Sequence, residues 1–147
     1  MIGRDFRSFG RRWLLCWVVG SLLAVGCGRG GLPATRAVNG KVVYKGGDVR
    51  LLEGGTVEFQ LISDPNVIAA GEIKADGTFS LSTWSKDGST EVQGAAAGEH
   101  KVRVDPPRPG EADSRRLIGA KYRNFDKSGI RITLPADKIE ITVEKGP

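Results

Sequence analysis

The chain reads as an all-β protein of about seven short antiparallel strands folded into a two-sheet sandwich. Three features of residues 38–144 predict it. Apolar side chains recur at every second position, glycine-rich turns separate the runs, and no stretch carries the apolar spacing of a long amphipathic helix. A strand with one apolar face needs a second layer to cover it, and two facing sheets do this for many short strands.

The strands follow in order. Residues 38–45 place Val42 and Tyr44 against Lys41 and Lys45, and residues 55–62 place Val57, Phe59 and Leu61 against Thr56, Glu58 and Gln60. Strands at 67–74 and 77–84 carry Ile73 and then Phe79, Leu81 and Thr83 on either side of Ala75-Asp76-Gly77. There Asp-Gly is expected to supply the two positive-φ positions of a type I′ hairpin turn. Val102 and Val104 alternate with Lys101 and Arg103 in a strand at 99–105. The last two strands, 129–134 and 138–144, set Ile130, Ile132 and Leu134 against Arg131 and Thr133, and Ile139, Ile141 and Val143 against Glu140, Thr142 and Glu144.

The front of the chain has a different logic. Arg4, Arg7, Arg11 and Arg12 precede an apolar run from Trp13 to Val25, shorter than the ~20 residues a comfortable membrane span needs and weakened by Gly20, Ser21 and Gly26. This is the pattern of a cleaved export signal. The segment Leu23-Ala24-Val25-Gly26-Cys27 resembles a bacterial lipoprotein signal. The resemblance implies that residues 1–26 are removed and that Cys27 becomes a lipidated first residue, anchoring the protein to a membrane. Gly28 lacks the aspartate associated with retention at the inner membrane, which points to the outer membrane. Arg11-Arg12 ahead of Trp13-Leu14-Leu15 is an incomplete twin-arginine pattern, so general secretion is the expected route.

Cleavage before Cys27 leaves 121 of the 147 residues, enough for one domain with its own core. Cys16 leaves with the signal and Cys27 is consumed by lipid, so neither a disulfide nor a thiolate metal site is expected in the domain. Four of the 22 Lys and Arg and one of the 17 acids precede Cys27, leaving 18 against 16, a balance of +2. The basic character thus belongs largely to the front segment, and no nucleic-acid footprint is expected. Residues 27–37, rich in Gly, Arg, Pro and Ala, read as the lipidated cysteine and a flexible tether, with the domain proper at 38–147.

Several runs taken together carry a wider likeness: Val38-Asn39-Gly40-Lys41-Val42-Val43-Tyr44-Lys45-Gly46-Gly47, Gly54-Gly55-Thr56-Val57-Glu58-Phe59, Gly71-Glu72-Ile73, and Asp76-Gly77-Thr78-Phe79-Ser80-Leu81. With Ala97-Gly98-Glu99-His100-Lys101-Val102-Arg103-Val104 and Lys121-Tyr122, the chain resembles small planctomycete-type lipoproteins that carry a carboxypeptidase-regulatory-like, transthyretin-like domain. The resemblance implies a Greek-key, transthyretin-like or Ig-like β-sandwich exposed in the cell envelope, and no established activity. Ala97 stands where that family usually has proline, and His100 where it often has tyrosine.

Chemistry-bearing motifs are few. His100 is the single histidine and shares a strand side with Val102 and Val104, so an interior ring is expected rather than a catalytic base. Asp64, Asp76, Asp87, Asp105, Asp113, Asp126 and Asp137 are scattered over separate turns, without calcium-loop spacing. Residues 85–89 form no nucleophile elbow and the glycines form no phosphate loop. No cofactor, no metal and no enzymatic activity are expected.

Two long connections remain as candidate binding surfaces. Residues 106–129 interleave Arg115, Arg116, Lys121, Tyr122, Arg123 and Phe125, a mixture suited to anionic glycans, headgroups or acidic protein edges. The competing role is structural, with Leu117, Ile118, Tyr122 and Phe125 covering the open side of the sandwich while the cations face water. Residues 84–98 begin at Trp84, a sugar-stacking platform if exposed and a cap on the core if buried. The family resemblance implies burial. The expected function is therefore a non-catalytic envelope lipoprotein that binds a protein or surface polymer. The alternative is an enzyme, or an enzyme's accessory domain, with an acidic site on envelope carbohydrate or peptide.

Overall fold

The computed structural model describes residues 32–85, 88–108, 114 and 116–147. The expected signal segment, Cys27, residues 28–31 of the tether and Arg115 lie outside the described residues. Among the described residues the chain is all-β, with eleven strands and two 3-10 turns. The strands are β1 (Thr35–Arg36), β2 (Asn39–Lys45), β3 (Thr56–Leu61), β4 (Ile68–Glu72), β5 (Thr78–Ser80), β6 (Ser82–Trp84), β7 (Glu91–Gln93), β8 (Ala95–Ala96), β9 (Gly98–Asp105), β10 (Arg131–Leu134) and β11 (Glu140–Glu144).

Six strands form one sheet in the order β10-β9-β3-β4-β6-β7, three form another in the order β11-β2-β5, and β1 pairs with β8. Every pairing is antiparallel except one. β11 runs parallel to β2, with Ile141 opposite Val42 and Val143 opposite Tyr44, which corrects the expectation of antiparallel pairing throughout. Alternation fixes which face of a strand is apolar but is blind to the direction of its partner, because the side-chain period is two either way.

Inward side chains of both large sheets enter one buried cluster. Val42 and Tyr44 of β2, Phe79 of β5, and Ile141 and Val143 of β11 meet Val57 and Phe59 of β3 and Val102 and Val104 of β9. Phe59 lies at its centre, fully buried, with its ring 6.2 Å from that of Phe79.

The expected strand at 77–84 is broken. Its first half, β5, pairs with β2, while its second half, β6, pairs with β4 in the other sheet. Leu81 makes the crossing, buried, with its N–H on the Val38 carbonyl at 3.0 Å and its own carbonyl accepting from Gly94 N at 2.7 Å. Strands that change sheets at a bend are how two layers share a corner. The turn before β5 also departs from expectation. Gly77 N donates to Lys74 O at 2.8 Å and Lys74 N to Thr78 O at 2.9 Å, so Ala75 and Asp76 are the central residues and Gly77, at φ +83°, follows them. That is a three-residue loop with a left-handed glycine, not a type I′ turn. Asp76 fastens it by accepting from the backbone N–H and hydroxyl of Thr78, and these bonds hold its carboxyl below the usual range.

The tether is shorter than expected, because Thr35 and Arg36 form β1 against Ala96 and Ala95. Gly94, at φ +97°, lets this strand approach: a Cβ there would stand 1.9 Å from the Arg36 carbonyl oxygen. The strands β7 and β8 fall within the long connection expected at residues 84–98.

Candidate functional site

The two expected binding surfaces do not converge. β9, which holds the long 106–130 connection, is separated from β6, which carries Trp84, by β3 and β4. Three interstrand steps place them about 14 Å apart.

Part of the long connection is structural. Ile118 is fully buried and Tyr122 is 6% exposed, and both belong to the core cluster. The Tyr44 hydroxyl donates to the Leu117 carbonyl and Gly119 N to Glu144 O at 3.0 Å, tying the connection to β2 and β11. Tyr122 therefore presents no ring to a partner. Its neighbours do face water: Arg116 and Lys121 are exposed, with Lys121 Nζ 4.8 Å from the Tyr122 ring centroid and 3.9 Å from a Glu144 oxygen. Lys45 and Lys145 are exposed and joined by a backbone bond, Lys145 N to Lys45 O at 3.2 Å, at the end of the β2–β11 pair that contacts this connection.

Farther along, the connection is latched across the outer side of β9. Arg103 grips Glu58 with two hydrogen bonds of 3.0 Å and stands 4.8 Å from the Phe125 ring centroid. The Glu58 hydrogen bonds raise the Arg103 pKa, and Glu58 and Asp105 add charge attraction. Asp105 also reaches Arg123 at 3.6 Å. Lys101 pairs with Asp126, a bond that lowers the carboxyl's pKa. Arg123 is thus half-buried against Asp105 rather than free. The sequence reading missed Glu58 and Arg103 as a pair. Their outward alternation was visible, but their register, Glu58 opposite Arg103, is a property of the assembled sheet.

His100 lies where its spacing predicts, on the core side. It is 1% exposed, its ring is 5.9 Å from Phe59, and its Nδ1 is 3.0 Å from the Gly98 carbonyl oxygen. Burial pushes its pKa down, so the ring is neutral at pH 7 with Nδ1–H donating. Among the described residues no group of three or more His, Cys, Asp or Glu side chains is placed to hold a metal ion. A cavity of about 90 Å³ lies between β1, Ala95 and residues 134–136, with Arg36 its one charged lining residue.

Trp84 corrects the burial that the family resemblance implied. It is 49% exposed and points out from β6, opposite Glu91 of β7. Four other aromatic residues, Phe59, Phe79, Tyr44 and Tyr122, are buried, and Phe125 is half-buried beneath Arg103. The hairpin beyond Trp84 is closed by Ser85 N to Thr90 O at 2.9 Å, Gly88 N to Ser85 O at 2.8 Å and Thr90 N to the Ser85 hydroxyl at 3.0 Å, so the indole is held on a braced strand.

Comparison with family models, with curated proteins and with solved structures returns no match for this chain.

Proposed function

We propose that this chain is a non-catalytic lipoprotein of the cell envelope, lipidated at Cys27, whose domain is a Greek-key β-sandwich of the transthyretin-like kind that binds a surface polymer or protein. Its strand order supports the fold assignment: β9 lies beside β3 in the sequence β9-β3-β4-β6, a return strand placed next to the first of the series.

The observation that carries the binding role is the use to which the reactive side chains are put. His100 packs in the core, Glu58 and Asp105 latch Arg103 and Arg123, and Asp126 holds Lys101. Paired in this way, these groups serve the fold. What the domain offers outward is an exposed indole on a sheet face and, elsewhere, a cationic end.

Anchoring is tested by fractionating cells that express the full chain or its Cys27→Ala variant. Wild type is expected in the membrane fraction and the processed variant in the soluble one; a processed variant that stays with the membrane refutes lipid anchoring. Binding is tested by crosslinking in intact cells, with Trp84→Ala and Arg116→Ala/Lys121→Ala as paired controls. A partner captured by wild type and lost from one control assigns the face. Equal capture by all three removes both faces from the reading.

A further inference from the structure

The outer face of the six-stranded sheet is divided in two. On the β10–β9 side, Phe125 and Asp126 of the long connection lie against Arg103 and Lys101. On the β4–β6–β7 side the outward residues include Ala70 and Ser82, partly exposed, and Trp84, Glu91 and Gln93, exposed. Cross-strand registers align Glu58, Ala70, Ser82 and Gln93 in one row, with Gln60 opposite Ile68 in the next.

We propose that this uncovered half binds an uncharged polysaccharide strand, with the Trp84 indole as the platform on which a sugar ring stacks. The inference rests on the polymer-binding part of the function proposed above and is independent of lipid anchoring.

Three properties of the face select this ligand. First, the indole stands in the same row as half-buried Ile68 of β4, with the small side chains of Ala70 and Ser82 in the adjoining row, so a flat ring rises beside a low shelf, a shape that accepts the apolar face of a pyranose. Second, Glu91 stands opposite the indole and Ser82 and Gln93 form the adjoining row, so carboxylate, hydroxyl and amide groups lie beside the ring, and these groups hydrogen-bond sugar hydroxyls. Third, the residue directly opposite the indole is Glu91, whose carboxylate disfavours a polyanion, and the described cations of the neighbouring β9 are engaged, Arg103 by Glu58 and Lys101 by Asp126.

Other occupants fit less well. A stable protein interface needs about 800 Å² per partner with an apolar centre, and among the described residues of this outer face Trp84 is the one exposed large apolar side chain, Val92 of β7 alternating to the opposite face. An anionic membrane surface would meet the carboxylate of Glu91 beside the indole. Placement on a strand between two neighbours also means that the indole is positioned before the ligand arrives, which reduces the ordering cost of binding.

The test uses the full chain with Trp13→Phe and Trp17→Phe, which makes Trp84 the sole indole. Its emission is titrated with hydroxyethylcellulose, laminarin and dextran, with polygalacturonate and with liposomes of phosphatidylethanolamine and phosphatidylglycerol. A saturable shift with at least one neutral polymer is expected. In affinity electrophoresis through the same polymer, Trp84→Ala should weaken binding by about tenfold or more with unchanged circular dichroism, and Gln93→Ala by a smaller factor. No shift with any neutral polymer overturns the proposal, as does full binding by Trp84→Ala. A shift confined to polygalacturonate or to liposomes also overturns it, reassigning the indole to a polyanion or to the membrane surface. The fractionation of Cys27→Ala reads anchoring separately, so failure here leaves that result standing.

Discussion

His100 makes the fold sensitive to mild acid, and the size of the effect follows from linkage. Its ring is 1% exposed, packed 5.9 Å from Phe59, and placed by register opposite Leu61 and Ile132. Burial lowers its pKa, whereas in the unfolded chain it returns to about 6.5. Below that value the unfolded chain binds a proton that the native state refuses, so stability falls with pH until the native pKa is reached. A single such proton changes stability by at most about 1.4 kcal/mol per pH unit. Going from pH 7 to about 5.5 therefore removes up to roughly 1.2 kcal/mol, provided that the native ring stays neutral over that range. The assay is urea unfolding at both pH values for wild type and His100→Leu. Carboxylates titrate in both proteins, so the difference between the two pH dependences isolates the imidazole. Wild type should lose more stability on acidification than the variant; equal losses, or a wild type that gains relative to the variant, would refute the buried neutral ring.

Two further perturbations probe the packing. Phe59→Ala removes a fully buried ring that touches both Phe79 and His100, and should cost about 3–5 kcal/mol, lowering the calorimetric midpoint by roughly 10–20 °C; a loss below about 1 kcal/mol would mean the ring is not central. Gly94→Ala places a methyl against the Arg36 carbonyl and should dislodge β1, so that trypsin cuts after Arg36 faster than in wild type. Gly88→Ala serves as its control, since Gly88 also has positive φ, at +69°, but has open space around it; it should cost about 1 kcal/mol and leave cleavage at Arg36 unchanged.

Much of the candidate surface was legible residue by residue, yet not as a site. Trp84, Arg116, Lys121 and Arg123 stand out in the sequence as aromatic and cationic residues in turn-rich stretches. Their fates diverge. Trp84 emerges on a sheet face, Arg116 and Lys121 face water, and Arg123 turns to Asp105. Tyr122 shares its stretch with the cations but is drawn into the core, where it joins the buried cluster. Local composition is the same for Arg116, Lys121, Tyr122 and Arg123, which share one stretch. The burial that separates them is decided by what lies above them.

The amino-acid sequence alone determined the all-β class, the approximate place of each long strand and the inward side of His100. All three depend on period-two alternation, and that pattern is complete within a few neighbouring residues. The tertiary structure decided the parallel pairing of β2 with β11, the change of sheet at Leu81, the seating of β1 against Gly94 and the Glu58–Arg103 register. Each of these joins segments far apart in the chain. Alternation says which face a strand buries, while partner, direction and register follow from how two whole sheets share one core.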